Sequence, residues 1–298
     1  MLNGKRGDNI FLVGEQMWMV TFSLNRPSPL EVYSEIDGTR IEVKENSGKV
    51  VISFIQAADI DEVRSKAFLA ANQFLSALSW RFGAHLAIKG ESSNIEHIDP
   101  SGKSQIFLQL SDRVVVSEKV TVIKKDASGD VIEVLDSQKL GKINVKHSDA
   151  ADFYRRAHLA DHPFEKFANL YKVAENIGDK IRTIKGHSRD SLEQVYRRRS
   201  YEMEVLQLAL DECFGGNLPS LLGAAKGLLS SDDVQQPIPK IVEIFYKANR
   251  CQIMHAKASE GKKVPFNPKD EKDVTAALPL MDFVAKSLLA YEQTLPLK

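Results

Sequence analysis

Two side chains near the end of one helix have the types and spacing to act on a phosphodiester. Within residues 237–257, Arg250 and His255 are separated by four residues. An arginine holds phosphate oxygens bidentately and favours developing negative charge. A histidine near neutral pH takes a proton from one oxygen and gives one to another. Ribonucleolysis without a metal needs both: the ribose 2′-hydroxyl loses a proton, the phosphorane charge is stabilised, and the leaving oxygen gains a proton. One pair per chain is thin. Two pairs facing across a two-fold axis would bring two histidines and two arginines to one cleft, so this chemistry implies a homodimer. Asn249 or Gln252 could orient the histidine, and Tyr246 could stack or hydrogen-bond. The plainer alternative is a surface arginine plus a histidine near a helix C-terminus, where positive charge is favourable.

The element that must position this pair is a helix. Pro239 sits where a first helical turn tolerates proline. Ile238, Ile241, Val242, Phe245 and Ala248 recur at spacings of three and four, which makes one apolar face. The same rotation puts Asn249 and Gln252 on that face, Arg250 and Tyr246 to one side and His255 to the other. An Arg, four residues and a His, near the end of a late helix in a C-terminal bundle, resembles the signature of the HEPN domains. The resemblance implies a metal-independent ribonuclease site at a dimer interface, or a degenerate version of it, as in bacterial defence and toxin systems, with Arg250 and His255 as its residues. The family commonly has a polar residue, often Asn, just after the Arg. Here Cys251 follows and Asn249 precedes, a departure that bears on catalytic competence more than on fold.

An RNA substrate would also need a basic surface. Between residues 180 and 199 lie Lys180, Arg182, Lys185, Arg189, Arg197, Arg198 and Arg199, against only Asp190 and Glu193. This is the best candidate for contacts to an RNA backbone, although such runs are more often simply solvated. Residues 197–199 cannot all face one way on a helix. Two metal-like spacings, His97 with Asp99 and His158 with His162, read instead as a turn and as a helix broken by Pro163. No cofactor is expected: the chain has no Walker-type glycine loop, dinucleotide fingerprint, GxSxG or HExxH.

Forty basic and forty acidic residues cancel over 298 positions, so no global field drives the chain to nucleic acid or membrane. An apolar content of 43% is near the globular norm, and the length suits about two domains. Cys213 and Cys251 make no disulfide framework and no zinc cluster. There is no apolar core of signal-peptide length and no run approaching the ~18 residues of a membrane span. The expected location is the cytoplasm, with a homodimer, RNA or an unidentified protein as the expected partners, and no membrane.

Along the chain, residues 1–148 read as an α+β domain, a mainly antiparallel sheet with one long helix, whose role the sequence does not reveal. Trp18, Val20 and Phe22 alternate with Met19, Thr21 and Ser23, Asp37-Gly38 marks a hairpin, and 49–55 is a further strand. Asp59 with Glu62 has the form of a capping box opening a helix over 59–82, closed by Gly83. Strand character returns at 85–88, 105–110, 114–123 and 131–135. Residues 149–298 read as an all-α, HEPN-like bundle, with helices over 152–158, 164–185, 191–214, a short one after Asn217, the 237–257 helix, and 273–295. The two-part layout is also similar to that of MauJ-like proteins of methylamine utilisation, a likeness of layout and not of a motif.

Overall fold

The computed structural model describes residues 16–98, 104–108, 123–125, 131–134, 138–142, 148–197, 200–253 and 268–296. The chain divides into two compact units. The first is Met1–Leu75 with Leu86–Lys146, and the second is Ser76–His85 with His147–Lys298.

The first unit is built on the period-two pattern. Strands β1 (Gln16–Leu24), β2 (Leu30–Ile36), β3 (Thr39–Val43), β4 (Lys49–Ala57), β5 (Ile88–Ile98), β6 (Ser104–Leu108) and β9 (Gln138–Lys142) form one sheet in the order β6-β5-β1-β4-β3-β2-β9. All neighbours are antiparallel except β2 and β9. A separate hairpin joins β7 (Ile123–Lys125) and β8 (Val131–Val134). Trp18, Val20 and Phe22 are buried with Ile41, Val43, Val50 and Ile52, so alternation on each strand supplies one apolar face. Asp37 and Gly38 both take positive φ at the β2–β3 turn, as the Asp-Gly pair requires.

Helix α1 (Ile60–Phe82) connects β4 to β5, and β1 lies between those two strands. The capping box forms: Asp59 Oδ1 accepts from the Glu62 amide at 2.8 Å, and Glu62 Oε2 accepts from the Ala58 amide at 2.8 Å. Val63, Ala67, Ala71, Phe74, Leu75 and Leu78 are buried. Gly83, at φ 67°, closes the helix, and the Ala84 amide reaches back to the Leu78 carbonyl at 3.2 Å. The last turns, from Ser76, are part of the second unit.

The second unit is all helical: α2 (Asp149–Leu159), α3 (Pro163–Lys185), α4 (Arg189–Tyr196), α5 (Tyr201–Phe214), α6 (Leu218–Ala224), α7 (Pro237–Ile253) and α8 (Pro268–Glu292). Helix α3 is central and packs on α2, α5, α7 and α8. At its Gly178 α5 packs tightly: a Cβ there would lie 2.6 Å from Val205 Cγ1 and 2.8 Å from the Val205 carbonyl oxygen. The fold is therefore an α+β unit followed by a helical bundle.

Several elements differ from the sequence reading. The single helix expected over 191–214 is two. Arg197, at φ 51°, ends α4 in the left-handed region, and Ser200 caps α5 by accepting from the Met203 amide. The break falls in the arginine run, where no apolar position holds a continuous helix. Strand character expected at 85–88 begins only at Ile88, and β5 then runs through the polar stretch to Ile98, paired on both sides by β1 and β6. Most of 114–123 lies outside the described residues. Strand β9 has no apolar signature and owes its place to pairing with β2. Among the described residues, α8 contains a stretch, Glu271–Glu292, long and apolar enough to cross a membrane. Its Val274, Ala277, Leu280, Met281, Val284, Ala285, Leu288 and Leu289 are core residues of the bundle.

Candidate functional site

Helix α7 starts at Pro237, and Ile238, Ile241, Val242, Phe245 and Ala248 are all buried. Phe245 meets Phe167 of α3 edge-on, with ring centroids 6.0 Å apart. These contacts fix the helix axis and rotation up to its last turns. Tyr246 is half-buried and packs against the core. Asn249, Arg250 and Gln252 lie within α7, but their side chains, and His255 altogether, lie outside the described residues. The bundle thus positions the backbone that carries Arg250.

The basic run is distributed over several helices. Lys180 pairs with Glu292 of α8 at 2.5 Å, and Lys185 with Glu212 of α5 at 2.6 Å. The hydrogen bond it donates to Glu212 holds the Lys185 ammonium above its ordinary range. Arg182 bonds Asp179 at 3.1 Å and the His187 carbonyl at 3.2 Å. The Arg189 guanidinium lies 5.2 Å from the Tyr201 ring centroid, and Arg197 is exposed at the end of α4. Arg198 and Arg199 lie outside the described residues. Lys180, Arg182 and Lys185 each face a carboxylate that offsets part of their field on a phosphate.

A polar cluster on α2 and α8 went unnoticed in the sequence. His158 Nε2 donates to Asp282 Oδ1 at 2.8 Å. Burial raises the Asp282 carboxyl, but the His158 hydrogen bond and charge, the Lys166 charge and the Tyr154 hydroxyl outweigh it and hold the group below its ordinary value. Burial and the Asp282 charge push the Tyr154 phenol well above its ordinary range. One turn earlier, buried Arg155 donates to Asp152 Oδ1 at 2.8 Å and to Ser76 Oγ at 3.2 Å. His158 and Asp282 are 124 positions apart, so no local spacing announces the pair. The four-residue spacing of His158 and His162 leads nowhere as a metal site: His162 instead caps α3, accepting from the Phe164 amide. His97 lies on β5 with its ring against Trp18, and Asp99 lies outside the described residues. Among the described residues no group of three His, Cys, Asp or Glu could hold a metal ion.

The comparisons with known proteins bear on the bundle. Residues 150–290 match the family model for the methylamine utilization protein MauJ. That span runs from the first turn of α2 to the last of α8. No curated protein and no solved structure matches the chain. The likeness to MauJ therefore belongs to the helical unit, whereas the HEPN resemblance rests on the Arg250–His255 spacing.

Proposed function

We propose that the chain is a non-catalytic binding protein of methylamine utilisation, in which a MauJ-like, HEPN-like bundle self-associates and the N-terminal unit recognises a ligand or partner. One observation carries this reading: several ion pairs of the bundle join one helix to another. Lys180–Glu292 ties α3 to α8, Lys185–Glu212 ties α3 to α5, and His158–Asp282 ties α2 to α8. Groups held this way are committed to one another, and a substrate would have to break those bonds to use them. The match to a family named for methylamine utilisation supports the metabolic setting.

A second reading is favoured by the position of Arg250 in the last turns of the penultimate helix. In it, two bundles pair across a two-fold axis, Arg250 holds the scissile phosphate, and His255 moves protons between the ribose 2′-hydroxyl and the leaving oxygen. One experiment separates the two. In the organism that carries the gene, deletion should impair growth on methylamine, and a copy with Arg250→Ala and His255→Ala should restore it. The purified protein should leave single-stranded RNA intact in excess chelator. Cleavage to 2′,3′-cyclic phosphate ends, lost in the double variant, would establish the second reading instead. Unimpaired growth of the deletion strain would remove the methylamine setting.

A further inference from the structure

The side of the sheet opposite its buried face carries one strained residue. Ile52 and Ile55 of β4 pair with Val20 and Trp18 of β1, so Ser53 and Phe54 together oppose the single residue Met19. This is a β-bulge, a device that re-aims a side chain. Phe54 takes φ 64°, a left-handed conformation that a bulky residue adopts only under strain. Ile52 and Ile55 on either side are buried, whereas the Phe54 ring is turned outward and left 48% exposed. Strain of this kind gathers at binding surfaces. Here its result is an aromatic ring presented to solvent beside the half-buried Met19.

The register places one charge on each flank of this centre. Arg40 of β3 pairs with Ser53 on one side, and Glu96 of β5 pairs with Met19 on the other. The strands run in the order β3, β4, β1, β5, so the row reads Arg40, Phe54, Met19, Glu96. The two charges lie three strand spacings apart, about 14 Å, too far to meet within one chain. Arg40 donates to Glu42 through Nε and keeps 40% of its side chain exposed. Glu96 has no ion-pair partner among the described residues. One row along, Glu42, Val51, Thr21 and Asn94 stand in line across the same four strands.

We propose that this face takes a second copy of the chain, sheet against sheet about a two-fold axis parallel to the strands. Such an axis turns β3 of one copy over β5 of the other and β4 over β1. Phe54 of each copy then lies on Met19 of the other, an aromatic–sulfur contact, with Arg40 facing Glu96 on both flanks. Glu42 lies over Asn94, an amide that donates to it. The charges select this occupant. A base and an acid at matched distances from an apolar centre complement themselves under a two-fold rotation, whereas a partner of uniform charge is repelled by one flank. This contact is separate from the self-association of the bundle and does not rest on it.

The test is sedimentation velocity on the full chain. Wild-type mass should rise with concentration through the micromolar range. Phe54→Asn, whose side chain suits the bulge backbone, should fold and lose that rise. Arg40→Glu and Glu96→Arg should each lose it too, because each sets like charges against each other at both flanks. Mixed in equal amounts, these two variants should recover it, since every contact then joins an acid on one chain to a base on the other. Any association through the bundle is common to all samples and leaves the differences intact. A wild-type mass that follows that of folded Phe54→Asn at every concentration would overturn the proposal. So would charge variants that associate as wild type does, or that stay apart when mixed.

Discussion

The two units use polar side chains in opposite ways. In the sheet, ion pairs join residues of one strand or of neighbouring strands, as Arg40 with Glu42 and Lys142 with Glu35. Arg40 bonds Glu42 at 3.0 Å on the same strand and lies 4.3 Å from the Tyr33 ring centroid on the neighbouring one. In the bundle, polar residues bridge helices far apart in sequence. Ser148 caps α2 and also donates to Glu292 Oε2 at 2.6 Å, and Lys180 takes the other Glu292 oxygen. A solvated sheet face tolerates substitution, whereas a bridged bundle has few positions that can change alone.

That contrast orders the expected effects of substitution. The largest is Phe245→Ala. The ring is fully buried between α7 and α3, and its loss should cost about 3–5 kcal/mol by urea denaturation. A cost under about 1 kcal/mol would mean that α7 does not pack as described. Next is Gly178→Ala, which places a Cβ against the Val205 backbone and should cost about 1–3 kcal/mol through overpacking. The sheet gives the opposite sign. Phe54 is a non-glycine residue at φ 64° in β4, beside the register shift with β1, and its ring is 48% exposed. Phe54→Asn should raise stability by up to about 1 kcal/mol, because Asn tolerates the left-handed region better. A loss there would show that the exposed ring makes contacts that matter.

The smallest effect concerns chemistry at a thiol. Burial pushes Cys213 up to about 11. Its thiolate should be roughly a thousandth of the population at pH 8, so alkylation by iodoacetamide should be slow until pH rises well above 9. Fast labelling at pH 8 would mean that α5 opens there.

How much of this was legible in the sequence follows from the range of the interactions. Period-two alternation located β1 to β4, and the capping box located the start of α1, because those signals lie within a few residues. The apolar stripe of α7 was readable for the same reason: Ile241, Val242 and Phe245 are all fully buried. Strands β5 and β9 were not, since their place is set by partners and not by their own composition. On the last helix the sequence spacing points to a stripe of Val274, Leu278, Met281, Ala285, Leu288 and Tyr291, which the structure keeps only in part. Leu278 and Tyr291 are only partly buried while Leu280, Val284 and Leu289 are fully so, around a proline, Pro279, inside the helix. The His158–Asp282 bond was invisible because a tertiary contact alone creates it. The charge run 180–199 was visible, but its carboxylate partners Glu212 and Glu292 were not.

The central claim is that the bundle works as a binding module and not as a nuclease. The most direct measurement is complementation of the deletion strain on methylamine by the Arg250→Ala, His255→Ala chain, at a protein level matched to wild type by immunoblot. The account predicts growth indistinguishable from that restored by the wild-type gene. No growth, from a variant that is present at that level and melts at the wild-type temperature, would contradict it and place the chemistry at the end of α7.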